Sequence, residues 1–220
     1  MPIGPLSPPA RLCLLAWDPA RPGTAAGGAR LRHLVRAGAL AELARAGLLL
    51  DDDGIVTPAD LDSRTGDAVL DGLLDLVRES LPRPWRTWVR LYARVTFDAV
   101  REQLVADGCL RAEKKRVLGV FPSVDHVLAR DAAARALREG ARDVLDGPVP
   151  VAQVPERDAL VAVLAAAAGL LDRGPVRERA RREERVEELA ARAAVPGGAL
   201  REVRAALSAE SARTAAPTGG

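Results

Sequence analysis

The sequence predicts a mainly α fold: a single compact helical domain from which one β-hairpin protrudes. Three observations carry this. Apolar residues recur at helical spacing over much of the chain, glycines stand where those runs stop, and the stretch from Ala99 to Ser123 switches from helical to strand character. In that stretch Val100, Leu104 and Val105 mark one helix face, and Gly108 supplies a residue tolerant of positive φ, so the helix ends near Asp107. Cys109 and Leu110, then Val117, Leu118, Val120 and Phe121, are short apolar runs flanking the charged stretch Arg111 to Arg116, and Pro122 closes the second run. A hairpin with a polar tip is expected there.

Taken in order, the chain opens on MPIGPLSPPARLCLLAWDPARPG, which lacks a basic leader region. Its apolar run from Leu12 to Trp17 is too short for a signal peptide. A flexible tail over residues 1–10 should enter an early helix or strand. From about Gly28 to Ala46 a helix presents Leu31, Leu34, Val35 and Leu40 to the core, and Gly47 ends it. Leu48 to Leu50 and Gly54 to Thr57 form a short extended pair around Asp51, Asp52 and Asp53. DDDG lacks the alternating ligands and distal glutamate of a calcium loop, so a solvated turn is expected. Thr65 or Asp67 caps a helix over Ala68 to Glu79, and LPRP at Leu81 to Pro84 stops it.

Beyond Pro148, Asp158 to Leu171 reads as a core helix, broken by Gly174 and Pro175. A charged helix follows in which Glu178 and Arg182 are helical neighbours, docked through a narrow seam of Val176, Val186 and Leu189. Gly197 and Gly198 precede a short final helix. Residues 211–220 read as a disordered tail, which leaves 11–210 as the helical domain.

Composition narrows the function. The 220 residues are 48% hydrophobic, enough for one substantial core, and a formal charge of +2 gives no field of the kind that gathers nucleic acid. Cys13 and Cys109 form no CxxC pair and lie among apolar neighbours, as buried free thiols in a reducing cytoplasm do. The longest apolar run, Ala159 to Leu171, is shorter than the roughly 20 residues a bilayer span needs. Any membrane contact is therefore expected to be peripheral. No dinucleotide, P-loop, zinc-protease or nucleophile-elbow motif occurs, and His33 and His126 stand far apart, so neither catalysis, a metal nor a cofactor is expected.

Four motifs in order carry a family resemblance: the helix end ALAELARAGLL within Val35 to Gly54, TGD followed by LDxxL from Thr65, the VRxxLVxxGxL helix end at Val100, and the hairpin running into VLGVFPS. Together they resemble the Golgi phosphoprotein 3 family over roughly Leu12 to Leu171 and more weakly beyond. The arginine- and alanine-rich composition suggests its bacterial, actinobacterial branch. The resemblance implies a non-catalytic, cytoplasmic peripheral membrane protein that binds phosphatidylinositol 4-phosphate. It also implies protein cargo, gathered by eukaryotic relatives, and a hairpin that contributes to membrane and homo-oligomer contacts.

Carried over residue by residue, Arg36 and Arg101 fall on two headgroup-contacting arginines. Gly27 falls where eukaryotic relatives place a bilayer-entering tryptophan, and Asp98 where they place a third basic residue. Arg32, Arg90 and Arg94 are nearby candidates, and Arg94 shares a face with Arg101 if the helix continues between them, although the apolar phase changes near Phe97. At the membrane, Lys114 and Lys115 of the hairpin meet the anionic surface or simply solvate a turn. Trp85, beside Pro84, replaces the missing tryptophan or packs in the core, while Trp88, Tyr92 and Val95 have the spacing of a buried face. Thirty arginines against two lysines make any one arginine weak evidence, so solvation of a helix face is the other reading of Arg36 and Arg101. The alternative function is a protein-interaction adaptor that kept the fold and lost lipid binding, which Gly27 and Asp98 favour.

Overall fold

A computed structural model describes residues 6–17, 28–117, 121–171 and 176–215. The described chain runs α1 (Pro8–Leu15), α2 (Gly28–Arg45), β1 (Leu49–Asp52), β2 (Ile55–Pro58), α3 (Ala68–Arg78), β3 (Arg83–Pro84), α4 (Trp85–Arg90) and α5 (Ala93–Ala106). It continues with β4 (Leu110–Val117), β5 (Phe121–Leu128), α6 (Asp131–Asp146), α7 (Glu156–Ala167), α8 (Arg179–Arg192) and α9 (Ala199–Ala215). The fold is mainly α, as the periodicity predicts. Gly27, Leu118, Val120, Gly174, Pro175 and the last five residues, all named above, lie outside the described residues.

A helix buried on every side has to sit at the centre of its domain, and α2 is buried at every position from Leu34 to Ala44. Helices α1, α3, α4, α5, α7 and α9 all pack on it. The closest approach is to α1: a Cβ on Gly38 would stand 2.5 Å from Leu12 Cδ1 and 3.3 Å from Pro9 Cα, so glycine sets that spacing. Pro8, Pro9 and Ala10 are buried as the first turn of α1, where the sequence predicts a flexible tail. Proline is favoured in a first turn because its missing N–H has no intrahelical acceptor to lose.

Strands β1 and β2 pair antiparallel from Leu49↔Pro58 to Asp52↔Ile55, so Asp51 and Asp52 belong to β1 and only Asp53, with Gly54, makes the turn where the whole triplet was expected. Asp51 is a structural joint rather than a solvated turn residue: its carboxylate accepts from Gly54 N at 3.0 Å, Trp85 Nε1 at 2.8 Å and Gly198 N at 2.7 Å. The two-residue β3, paired with β2 at Ile55↔Pro84, delivers Trp85 beneath this sheet. Trp85 is fully buried there. The expectation that Trp85 reaches a membrane is corrected, because β3 and the Asp51 acceptor hold its ring inside.

The first turn of α3 forms as predicted, with Asp67 accepting from the amides of Val69 and Leu70. The apolar phase does change in the next helical stretch, but at Leu91–Tyr92 rather than Phe97. Leu91 is extended and Tyr92 is left-handed at φ 55°, ψ 24°, which separates α4 from α5. Trp88 is buried before the break, while Tyr92 and Val95 after it are 55% and 62% exposed, against the burial their spacing predicts. From Arg94 to Arg101 the helix is continuous.

The hairpin is longer than expected. Strands β4 and β5 pair from Leu110↔Leu128 to Val117↔Phe121, so Arg111 to Arg116 lie within β4 rather than forming the tip. A two-stranded ribbon extending from the core solvates both its faces, so charge along β4 does not oppose pairing. At the C-terminus α9 continues through Ser211 to Ala215, where a tail is predicted.

Candidate functional site

Helices α2 and α5 diverge at the N-terminal end of α2 and leave a cleft of about 400 Å³. Arg32 lines it from α2, and Arg94, Phe97, Asp98 and Arg101 line it from one face of α5. These four α5 positions recur at i, i+3, i+4 and i+7, the spacing of a single helix face. Three of the arginines singled out in the sequence therefore meet in one place. Among the described residues Asp98 is the only carboxylate that lines the cleft; its oxygens accept from Arg94 Nε at 3.4 Å and from Arg101 Nη2. The Arg101 guanidinium lies over the Phe97 ring, 4.7 Å from its centroid, a contact that orients a cation without neutralising it. Arg101 Nε is enclosed and has no hydrogen-bond partner among the described residues. Among the described residues guanidinium exceeds carboxylate in the cleft, which suits it to an anion with several acceptor oxygens.

Arg36 is not in the cleft. One turn beyond Arg32, it is fully buried, and its Nε donates to the Trp88 carbonyl at 3.1 Å while Nη1 donates to Thr96 Oγ1 at 2.5 Å. Its guanidinium carbon stands 5.8 Å from the Trp88 ring centroid. Burial without a carboxylate lowers its pKa to about 10, and Nη2 has no partner among the described residues. A group this enclosed cannot meet a headgroup arriving from solvent, so the expected direct contact is corrected. Arg36 instead positions the site: it ties α2 to the end of α4 through Trp88 and to α5 through Thr96, which sets how far apart the cleft walls stand.

The cleft has two neighbours. On α9, Glu210 accepts from Arg90 and Arg213, with His33 Nδ1 3.5 Å away on α2. Burial lowers the His33 pKa; Glu210 opposes the shift, and Arg90, Arg32 and Arg213 reinforce it. On β5, burial and then the charge of Arg101 lower the pKa of His126, with Asp98 opposing. Farther along β4, Lys114 is exposed and Lys115 pairs in register with Ser123. Lys114 does not line the cleft. The Cys13 thiol, buried in α1, is pushed up to about 12 by desolvation with Arg101 opposing, as befits an inert thiol. Among the described residues no helix is long and apolar enough to cross a membrane.

A family model described as Golgi phosphoprotein 3 (GPP34) matches residues 9–208, nearly the whole chain. The chain belongs to the Golgi phosphoprotein 3 family. No curated protein matches it significantly. Within this Golgi phosphoprotein 3 chain the sequence located Arg32, Arg94 and Arg101 but missed that Asp98 engages two of them at once. The signal was present: Arg94, Asp98 and Arg101 stand at i, i+4 and i+7, where helix neighbours form ion pairs.

Proposed function

We propose that this chain is a non-catalytic peripheral membrane protein whose α2–α5 cleft receives the phosphate of an anionic phosphoinositide, phosphatidylinositol 4-phosphate by family membership. The observation that supports this most is the convergence of Arg32, Arg94 and Arg101 around the lone Asp98. Hydrogen bonds to a charged group contribute about 1.5–3 kcal/mol each, so two such bonds from the cleft arginines supply about 3–6 kcal/mol before ordering costs. Millimolar affinity corresponds to about 4 kcal/mol. One headgroup alone is therefore held weakly, and residence on a membrane needs further contacts, to which Lys114 and Lys115 add surface charge.

The adaptor reading has its own support in Asp98, which already occupies Arg94 and Arg101. On that reading the cleft is internally satisfied and a protein cargo is the partner. Flotation with vesicles of phosphatidylcholine alone, with phosphatidylinositol, and with phosphatidylinositol 4-phosphate separates the two. The lipid reading expects flotation that requires the 4-phosphate and is lost in Arg32→Ala and Arg101→Ala. Flotation indifferent to the phosphate and to both substitutions, or none at all, makes the adaptor reading the better one.

A further inference from the structure

The break between α4 and α5 leaves two large apolar side chains in solvent, side by side. Tyr92 and Val95 are each more than half exposed, and the Val95 amide donates to the Tyr92 carbonyl at 2.9 Å, so they form one corner. That corner stands at the first turn of α5, the helix whose Arg94, Phe97, Asp98 and Arg101 line the cleft. Arg94 stands between the two, with a side chain 78% exposed, and Arg86 and Arg90 are exposed on α4 just before them.

The backbone here is held rather than relaxed. A bulky residue rarely adopts φ 55°, and when it does the surroundings enforce it. Arg36 is the enforcing group: it grips the Trp88 carbonyl on one side of the break and the Thr96 hydroxyl on the other. Tyr92 and Val95 are thus presented on a rigid corner, which lowers the ordering cost of any surface they enter.

We propose that the Tyr92–Val95 corner is the apolar anchor by which this chain enters an anionic bilayer, seated beside the cleft that takes the headgroup. The proposal rests on the lipid reading given above and deepens it. The occupant follows from chemistry: an apolar point with the exposed Arg86, Arg90 and Arg94 close by along the chain complements a surface that is anionic outside and hydrocarbon within. A tyrosine, with an apolar ring and a polar tip, suits the boundary between the two.

The test uses the full chain and two ligands, phosphatidylcholine vesicles containing phosphatidylinositol 4-phosphate, and the water-soluble glycerophosphoinositol 4-phosphate. In Tyr92→Asn/Val95→Gln the asparagine tolerates the left-handed backbone and the glutamine keeps the helix, so the fold is retained. Vesicle partitioning should fall at least tenfold while binding of the soluble headgroup stays unchanged. A polarity-sensitive fluorophore at Val95→Cys should shift to the blue on vesicles and be quenched by lipids brominated high in the acyl chain. The same label at Glu139→Cys, on α6, should not respond. Both native cysteines are buried, so each label is confined to its site. Unchanged partitioning, or a label at residue 95 that stays aqueous on bound protein, overturns the anchor and leaves the headgroup site standing. Loss of soluble-headgroup binding in the double variant overturns the separation of anchor from site. A wild-type chain that binds neither ligand overturns both the anchor and the lipid reading.

Discussion

Near the C-terminal end of α2, Glu42 is buried and accepts from Arg45 at 2.8 and 2.9 Å and from Arg157 at 2.7 Å; Arg45 and Arg192 then share Glu156 at 3.4 and 3.2 Å. Toward the N-terminal end of the same helix, Arg36 is buried with a carbonyl and a hydroxyl as its acceptors among the described residues, and Arg32, Arg94 and Arg101 have one described carboxylate among them. The two guanidiniums respond in opposite directions. Hydrogen bonding to Glu42 raises the pKa of Arg45, whereas desolvation lowers that of Arg36 to about 10. One end of α2 is a closed network in which every carboxylate serves two cations, and it supports the fold. The other carries, among the described residues, a cationic excess that a second anion would balance, and that is the end where we propose the ligand.

Removing charge should therefore cost more at the closed end. Glu42→Gln takes the carboxylate from Arg157 and leaves Arg45 only the longer contact to Glu156, and should lower unfolding stability in urea by about 2–3 kcal/mol. Trp85→Phe, which deletes the indole donor to Asp51, should lose about 1–2 kcal/mol and leave vesicle binding untouched; reduced binding in that variant would restore Trp85 as a membrane contact. Arg36→Met should change stability by no more than about 1 kcal/mol, since two lost hydrogen bonds are offset by relief of a buried, carboxylate-free cation. A loss as large as that of Glu42→Gln would break the comparison. Asp98→Asn, at a partly exposed pair, should alter stability by less than about 0.5 kcal/mol yet strengthen binding to anionic vesicles severalfold, by releasing Arg94 and Arg101.

The smallest effect is on pH dependence. Burial depresses the His33 pKa below 6.5, so the folded chain keeps the imidazole neutral while the unfolded chain protonates it near that value. Its contribution to stability is complete above pH 6.5 and declines as the pH falls from 6.5 toward the folded pKa. His126, shifted the same way, adds to the slope. Urea unfolding at pH 7.5 and 5.5 should show a loss on acidification that His33→Gln reduces; an equal loss in the variant would contradict the assignment.

Local signals made much of the fold legible. The Asp67 cap, Gly47 and Gly108 at positive φ, and the existence of the β1–β2 pair all depend on neighbours within a few residues. Elements fixed from afar were not. The break at Tyr92 is held by Arg36 across the core, β3 is two residues long, and no local pattern reveals either. The misplaced exposures follow directly. In one continuous helix Tyr92 and Val95 would share the buried face of Trp88, and without β3 nothing holds Trp85 inside. Burial of Arg36 did have a sequence signal, since between Leu34 and Ala44 the only charged residues are Arg36 and Glu42, as expected of a helix enclosed on all sides.

The two ends of α2 can be set against each other with one soluble ligand. In an NMR titration with glycerophosphoinositol 4-phosphate, the wild type and Arg157→Gln should bind alike. Arg101→Gln should lose at least tenfold in affinity, in keeping with about 1.5–3 kcal/mol for a charged hydrogen bond. Equal binding by Arg101→Gln and the wild type, or an equal loss in Arg157→Gln, would contradict the claim that the cationic excess beside Asp98 is the ligand site.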